Sequence, residues 1–321
     1  MNDLRFSVRV FVAIVQGAPM DPLSDVLSLL KPLSYMFGGF DMGGDWSFQF
    51  SRAEGIKCYV IVSGQCWLSV EGVPDALRVE AGDCFLLPRE RPFRLASHLD
   101  LPPVDAYVAF PAQLDGGVFT YNGGGGCFSV GGHFDLMGQH ADILLGVLPP
   151  IVHIRRPSDR AELRWYVERM IQELREPQPG GYLVAQHLAY MMLVQALRLH
   201  LTDGSGERTG WLFALGDKRM YTAISAMHGD PAHRWTLQSL AERAGMSRTS
   251  FTLKFKETVG VSPMEYLTRW RMLKAADSLA NSDDSVGAIS LSVGYESESA
   301  FSTAFRRVMG CSPRQYGRAP S

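Results

Sequence analysis

The sequence predicts a multidomain α+β chain, with an N-terminal β-barrel or sandwich carrying a helical segment and an all-α C-terminal domain. Three observations predict it. Between residues 46 and 110, short apolar runs are cut by glycine and proline roughly every eight to twelve residues, the pattern of many short strands. From about residue 160 the apolar period becomes that of a helix. Near the C-terminus a block repeats at an offset of fifty, so that Phe251, Phe255, Gly260, Ser262, Pro263 and Tyr266 recur as Phe301, Phe305, Gly310, Ser312, Pro313 and Tyr316.

Composition bounds the reading. A chain of 321 residues can hold two cored domains, and 46% hydrophobic with 20% charged residues is ordinary globular material. The net charge of -2 is uneven: residues 217–321 carry 14 basic and 10 acidic side chains, and the remainder a net −6. A basic C-terminal module suits an acidic partner, although a solvated face has the same signature. The five cysteines form no CxxC pair and are too sparse for a secreted disulfide scaffold. Residues 6–15 are apolar but interrupted by Arg9, with no small-residue cleavage site behind them. No run approaches the roughly 20 apolar residues of a membrane span. The expectation is a cytoplasmic protein with reduced thiols and no membrane contact.

Taken in order, residues 1–19 read as a disordered extension ahead of Met20-Asp21-Pro22 and a helical pattern. Tyr59–Val62, Cys66–Val70 and Cys84–Leu87 read as strands, turned by Ser63-Gly64, Glu71-Gly72 and Ala81-Gly82-Asp83. The glycines of 122–126 lack the Lys-Ser/Thr of a phosphate loop and read as a plain connection. Leu163, Tyr166, Val167, Met170, Ile171 and Leu174 form one helical stripe that ends at Pro177. A second helix, about 182–202, is apolar around so much of its circumference that both sides should be buried, one against the barrel and one against a second subunit. Residues 204–216, opening on Gly-Ser-Gly-Glu-Arg, read as a linker. The domains expected are therefore 20–203 and 217–321.

Each copy of the repeat reads as two helices at a tight turn. In the first, Thr236 caps a helix 237–244, Gly245 makes the turn, and Ser247 caps a helix 248–258 with Phe251 and Phe255 inward. The second gives a helix 286–293, Gly294, then a helix 297–308 with Phe301 and Phe305 inward. This is the sequence form of a helix-turn-helix, twice. A helix from Met264 to about Ala280 joins them and spans roughly 25 Å, which can hold two reading helices near one DNA turn, roughly 34 Å, apart.

The run from Gly294-Tyr295-Glu296-Ser297-Glu298-Ser299-Ala300-Phe301, through Phe305-Arg306-Arg307, to Gly310-Cys311-Ser312-Pro313-Arg314-Gln315-Tyr316 carries the signature of the AraC/XylS family of bacterial transcription regulators. Residues 220–317 resemble that family throughout, apart from Gly317, where its members often have arginine. The resemblance implies that the helices 248–258 and 297–308 enter successive major grooves of double-stranded operator DNA. Ser247, Arg248, Thr249, Thr252, Leu253 and Lys256 would then face DNA from the first, and Ser297, Glu298, Ser299, Ser302, Thr303, Arg306 and Arg307 from the second. Hydroxyls can bond base edges, and the methyl of threonine or a leucine side chain can pack on thymine. Arg248, Lys256, Arg306 and Arg307 suit phosphates. Leu253 could instead tuck against the joining helix, and Glu298 either accepts from a cytosine amino group or caps its own helix.

The segment Gly82-Asp83 to Pro88, with Gly64 in an earlier turn and Leu144–Pro150 before the two helices, resembles the cupin domain found in such regulators. That implies an effector-binding or dimerising domain, with RNA polymerase, a small-molecule effector and a second copy as partners beside DNA. Trp46, Tyr59, Trp67 and Phe93 could line an apolar effector cavity or simply pack the core. Many cupins are metal enzymes, but the places of their ligands hold Cys58, Tyr59 and Phe93, and His98, His133, His140 and His153 lack metal spacing. No catalytic residue, metal or cofactor is expected. A further alternative is redox control through Cys58, Cys66, Cys84 or Cys127, opposed by their setting in apolar strands. The expected function is sequence-specific transcription regulation, in the activator style, by a homodimer.

Overall fold

The computed structural model describes residues 21–30, 33–51, 55–110, 117–135, 148–202 and 209–317. The expected extension 1–19, His140, Leu144–Val147 and the Gly-Ser-Gly-Glu-Arg segment lie outside these residues. The chain divides into two compact units: residues 30–207, and residues 208–321 together with the chain up to Leu29.

The first unit is built on two facing sheets. Strands β1 (Leu33–Met42), β3 (Ile56–Ser63), β6 (Cys84–Leu87), β9 (Val118–Tyr121), β10 (Cys127–Asp135) and β11 (Val152–Ile154) form one, in the order β11-β6-β3-β10-β1-β9. Strands β2 (Ser47–Phe50), β4 (Gln65–Val70), β5 (Leu77–Glu80), β7 (Phe93–Ala96) and β8 (Val104–Asp105) form the other, in the order β5-β4-β7-β2-β8. A short helix α2 (Ala106–Ala109) follows β8, and the glycines of 122–126 turn β9 into β10. Alternation along the strands sends Phe48, Tyr59, Ile61, Leu68, Phe85 and Phe93 into one aromatic core between the sheets. Helices α3 (Pro157–Arg175) and α4 (Gly181–Thr202) pack against the six-stranded sheet. Leu163, Val167, Met170 and Leu174 are buried from α3, as the stripe predicts, and Leu188, Met192, Leu193 and Ala196 from α4.

One polar cluster ties this unit together. Asp83, buried at the turn into β6, accepts from the Glu80 amide at 3.0 Å and from Arg160 of α3 at 2.6 Å, and His153 of β11 lies 3.1 Å away. Burial pushes its carboxyl up, but His153, the Glu80 amide and Arg160 together outweigh it and hold the group below the ordinary carboxylate range.

The second unit is helical: α1 (Pro22–Leu30, its last residue beyond the unit's boundary), α5 (Trp211–Ala214), α6 (Lys218–Gly229), α7 (Leu237–Arg243), α8 (Arg248–Val259), α9 (Pro263–Asn281), α10 (Val286–Ser292), α11 (Glu298–Met309) and α12 (Pro313–Tyr316). Two placements differ from the sequence reading. Residues 211–214, expected as linker, form α5 with Trp211 and Leu212 buried, because so apolar a run packs rather than spans. Helix α1, grouped by sequence with residues 20–203, joins the second unit, where Asp25 lies 3.4 Å from His228. His228 is fully enclosed; its Nε2 is 2.8 Å from the Tyr266 hydroxyl and its ring stacks on Trp270 at 3.7 Å.

Candidate DNA-reading surface

The fifty-residue repeat is a repeat of geometry. Thr236, Ser247, Ser285 and Ser297 each cap the helix that follows through a side-chain oxygen accepting a backbone N–H. Gly245 (φ +62°) and Gly294 (φ +83°) make the two turns in the left-handed region. Each copy then closes alike, on a left-handed glycine cap (Gly260, Gly310), a serine N-cap (Ser262, Ser312) and a proline at the first helical position (Pro263, Pro313).

Packing repeats as well. Phe251 and Phe255 sit 5.6 Å apart, as do Phe301 and Phe305. Phe255 meets Tyr266 edge-on at 5.8 Å, and Phe305 meets Tyr316 edge-on at 5.7 Å. All four phenylalanines are fully buried. At about 1.5–3 kcal/mol each, that burial fixes the rotation of α8 and α11 about their own axes. Helix α9, about 28 Å long, is shared: its Met272, Ala275 and Ala276 pack with Ile289, Val293, Phe301 and Phe305 of the second copy.

With that rotation fixed, the other faces of α8 and α11 are decided. Arg248, Thr249, Leu253 and Lys256 are exposed and Thr252 is half-buried; Glu298, Ser299, Thr303 and Arg306 are exposed and Ser302 is half-buried. Ser247, Ser297 and Arg307 are exposed beside them. Leu253 is 59% exposed, so it is not tucked against α9. Among the described residues Arg248, Lys256, Arg306 and Arg307 carry no ion pair, whereas Lys254, off this face, is paired with Asp217. Glu298 lies 3.8 Å from Arg314, an exposed pair of little energetic weight.

The threonines hold a further detail. Thr252 Oγ1 donates to the Arg248 carbonyl at 2.8 Å, and Thr303 Oγ1 donates to the Ser299 carbonyl at 3.0 Å. With the hydroxyl proton spent on the helix backbone, each side chain offers lone pairs and a methyl group, and no donor, in this rotamer.

In the first unit, Trp46 and Tyr59 line a cavity between the sheets. Trp67 is half-buried and Phe93 stacks on Phe50 at 4.3 Å in the core, both outside the lining. The cavity is small, about 20 Å³, room for a water or two and far below a drug-sized site. Among the described residues no three His, Cys, Asp or Glu side chains gather as a metal would need, and no helix is long and apolar enough to cross a membrane.

Comparison with known proteins agrees with both halves. Residues 21–202 match the cupin family and residues 240–319 a helix-turn-helix domain. The chain is 40% identical over 303 residues to a protein of Streptomyces lividans described as an AraC-like transcription regulator, covering 94% of this chain and 99% of that one. A protein of Streptomyces antibioticus with the same description is 40% identical over 302 residues, with the same coverage. Among solved structures, the C-terminal domain of the response regulator AraT from Geobacillus stearothermophilus is 32% identical, covers 33% of this chain and 88% of its own, and superposes with a TM-score of 0.31.

Proposed function

We propose, for a chain that belongs to the AraC-type helix-turn-helix transcription regulators with an N-terminal cupin domain, that α8 and α11 read successive major grooves of one operator. The observation that carries this reading is the repeated burial of Phe251, Phe255, Phe301 and Phe305, which turns the equivalent face outward in both copies. Arg248, Lys256, Arg306 and Arg307 hold phosphates and set the register. Thr249, Thr252 and Leu253, with Ser299, Ser302 and Thr303, read base edges and thymine methyls, while Ser247 and Ser297 bring their helix N-termini to the backbone. Glu298, exposed in the first turn of α11, accepts from a cytosine amino group in this reading.

The test is paired binding to a selected operator and to random duplex. Replacing Thr252 and Thr303 by alanine should weaken specific binding by about 1 kcal/mol per lost thymine-methyl contact and leave non-specific binding unchanged. Equal losses on both duplexes would remove the base-reading roles.

The cupin domain supplies control by linkage, an effector that binds the operator-bound and free chain unequally shifting operator affinity. Of the four aromatics, Trp46 and Tyr59 are the lining that an effector small enough for this cavity would meet. Helix α4, with α3, offers a second copy a patch formed by Trp165, Tyr182, Leu183 and Met191, which are 59%, 57%, 57% and 47% exposed. Sedimentation should show a dimer that Leu183→Arg splits; a monomeric wild type with full operator affinity would exclude it. RNA polymerase completes the partner set of a cytoplasmic activator.

A further inference from the structure

Two of the five cysteines are brought together on the wall of the inter-sheet cavity. Cys66 belongs to β4 in one sheet and Cys127 to β10 in the other. Both side chains line the cavity beside Trp46, Phe48, Phe85 and Phe110, near enough for each thiol to perturb the titration of the other. Gly64 allows the approach: a Cβ there would collide with the Gly126 carbonyl and stand 3.0 Å from the Cys127 Cα. So Cys66, two residues on from that glycine, shares the cavity wall with the first residue of β10.

Cys58 and Cys84 also perturb each other's titration, yet they differ in position. Alternation along β3 and β6 sends Tyr59 and Phe85 to the cavity and these two thiols to the opposite, helix-covered face. They form no part of the cavity wall.

We propose that Cys66 and Cys127 are a reactive dithiol site for a small, uncharged two-electron oxidant of the hydroperoxide or hypohalous-acid class. The cavity's size, its apolar aromatic wall and the paired thiols all select for such a molecule. A charged oxidant loses hydration it cannot recover there, and a bulky one does not fit. Cys127 is the attacking sulfur: the Cys66 thiol draws the Cys127 thiol below the ordinary cysteine range, against burial and the nearby Asp41 carboxylate. With hydrogen peroxide, the Cys127 sulfur takes one oxygen as the O–O bond breaks. That leaves a sulfenic acid, and the second oxygen departs as water with the thiol's proton. The Cys66 sulfur then displaces the hydroxyl, which leaves as water with the Cys66 proton, and the S–S bond forms. Two thiols lose two electrons and one peroxide becomes two waters. The product bridges the two sheets.

The experiment uses the full-length reduced protein, titrated separately with hydrogen peroxide and with hypochlorous acid, then quenched, denatured and mapped by peptide mass spectrometry. Free thiols should fall from five to three, with a Cys66–Cys127 cross-link two hydrogen masses lighter than its separate peptides. Cys66→Ala should stop at a dimedone-trappable sulfenic acid on Cys127, and Cys58→Ala should leave the cross-link unchanged. Response to one oxidant alone would assign the class. Cys66 and Cys127 recovered free while Cys311 is modified, a cross-link through Cys58 or Cys84, or five unchanged thiols with both oxidants would each overturn the proposal. The wild-type mapping needs no variant to fold and no operator, so it stands apart from the DNA-reading assignment.

Discussion

Gly245 and Gly294 occupy equivalent turns in the two copies, and the same substitution should hurt them unequally. Both are in the left-handed region, at φ +62° and +83°, where a Cβ costs about 1–2 kcal/mol. Around Gly245 an added Cβ meets nothing within 4 Å, so Gly245→Ala should cost only that conformational part. An added Cβ at Gly294 lies 2.5 Å from the Ala232 carbonyl oxygen and 3.0 Å from the Ala232 carbonyl carbon. Those are backbone atoms and cannot rotate aside, so the turn or the loop before α7 must move. Overpacking of that kind adds about 1–3 kcal/mol, giving about 2–5 kcal/mol for Gly294→Ala. Urea unfolding of each variant gives the size, with an unchanged m-value as the sign that only stability moved. Hydrogen exchange gives the place: protection should fall in α10 and α11 for Gly294→Ala, and less, in α7 and α8, for Gly245→Ala. Equal destabilisation, or a larger loss at Gly245, would refute the claim that the Ala232 contact makes the second turn the tighter one.

Arg306→Ala should make the salt dependence of operator binding shallower by about 0.9 in log–log slope and leave the preference for operator over random duplex intact; an unchanged slope means that Arg306 touches no phosphate. Burial holds the His228 imidazole below its ordinary range, against the raising influence of Asp25, with Lys274 adding to the lowering. The unfolded chain therefore binds the proton that the folded one resists, and the helical unit should lose stability as pH falls from about 6.5. Melting curves between pH 8 and 5 should show that slope in wild type and a flatter one in His228→Gln. For Asp83, whose carboxyl is depressed, stability is present above the unfolded value of about 3.9 and is lost as pH falls through the folded one. Asp83→Asn should remove about 3–5 kcal/mol at neutral pH by leaving Arg160 and His153 short of their counter-charge, read as a lower urea midpoint.

What was legible in the sequence follows from which interactions are local. Caps and turns are decided within four or five residues, so Thr236, Ser247, Gly245 and Gly294 located the reader's helices to within about a residue. The inward phenylalanines were legible because 3.6-residue periodicity places i and i+4 on one face. Contacts far apart in sequence were not. The meeting of Asp25 with His228, the fold-back of Trp211 onto the reader, and the Cys66–Cys127 pair depend on tertiary approach, and no spacing encodes them. Asp83 stands out in the sequence for its motif but not as an anchor, since His153 and Arg160 lie seventy or more residues away. The back-bonded hydroxyls of Thr252 and Thr303 were within reach, because i to i−4 bonding is a known habit of helical threonine.

The two copies share a scaffold but differ in what they present, and the difference has a direction. Position for position, Thr252 and Leu253 of α8 correspond to Ser302 and Thr303 of α11. The first pair shows a threonine methyl and a leucine that is 59% exposed; the second shows a serine hydroxyl and a threonine methyl. At the helix starts, Arg248 stands where α11 has Glu298. A duplex half-site rich in thymine methyls rewards the first face, and one that presents a cytosine amino group rewards the second. Both copies are fixed to one helix, α9, so they cannot exchange places on the duplex. An operator read this way is asymmetric within each protomer's footprint. Inverting one half-site while keeping its spacing should cost nearly as much affinity as deleting it, whereas interchangeable copies would bind the inverted site almost as well.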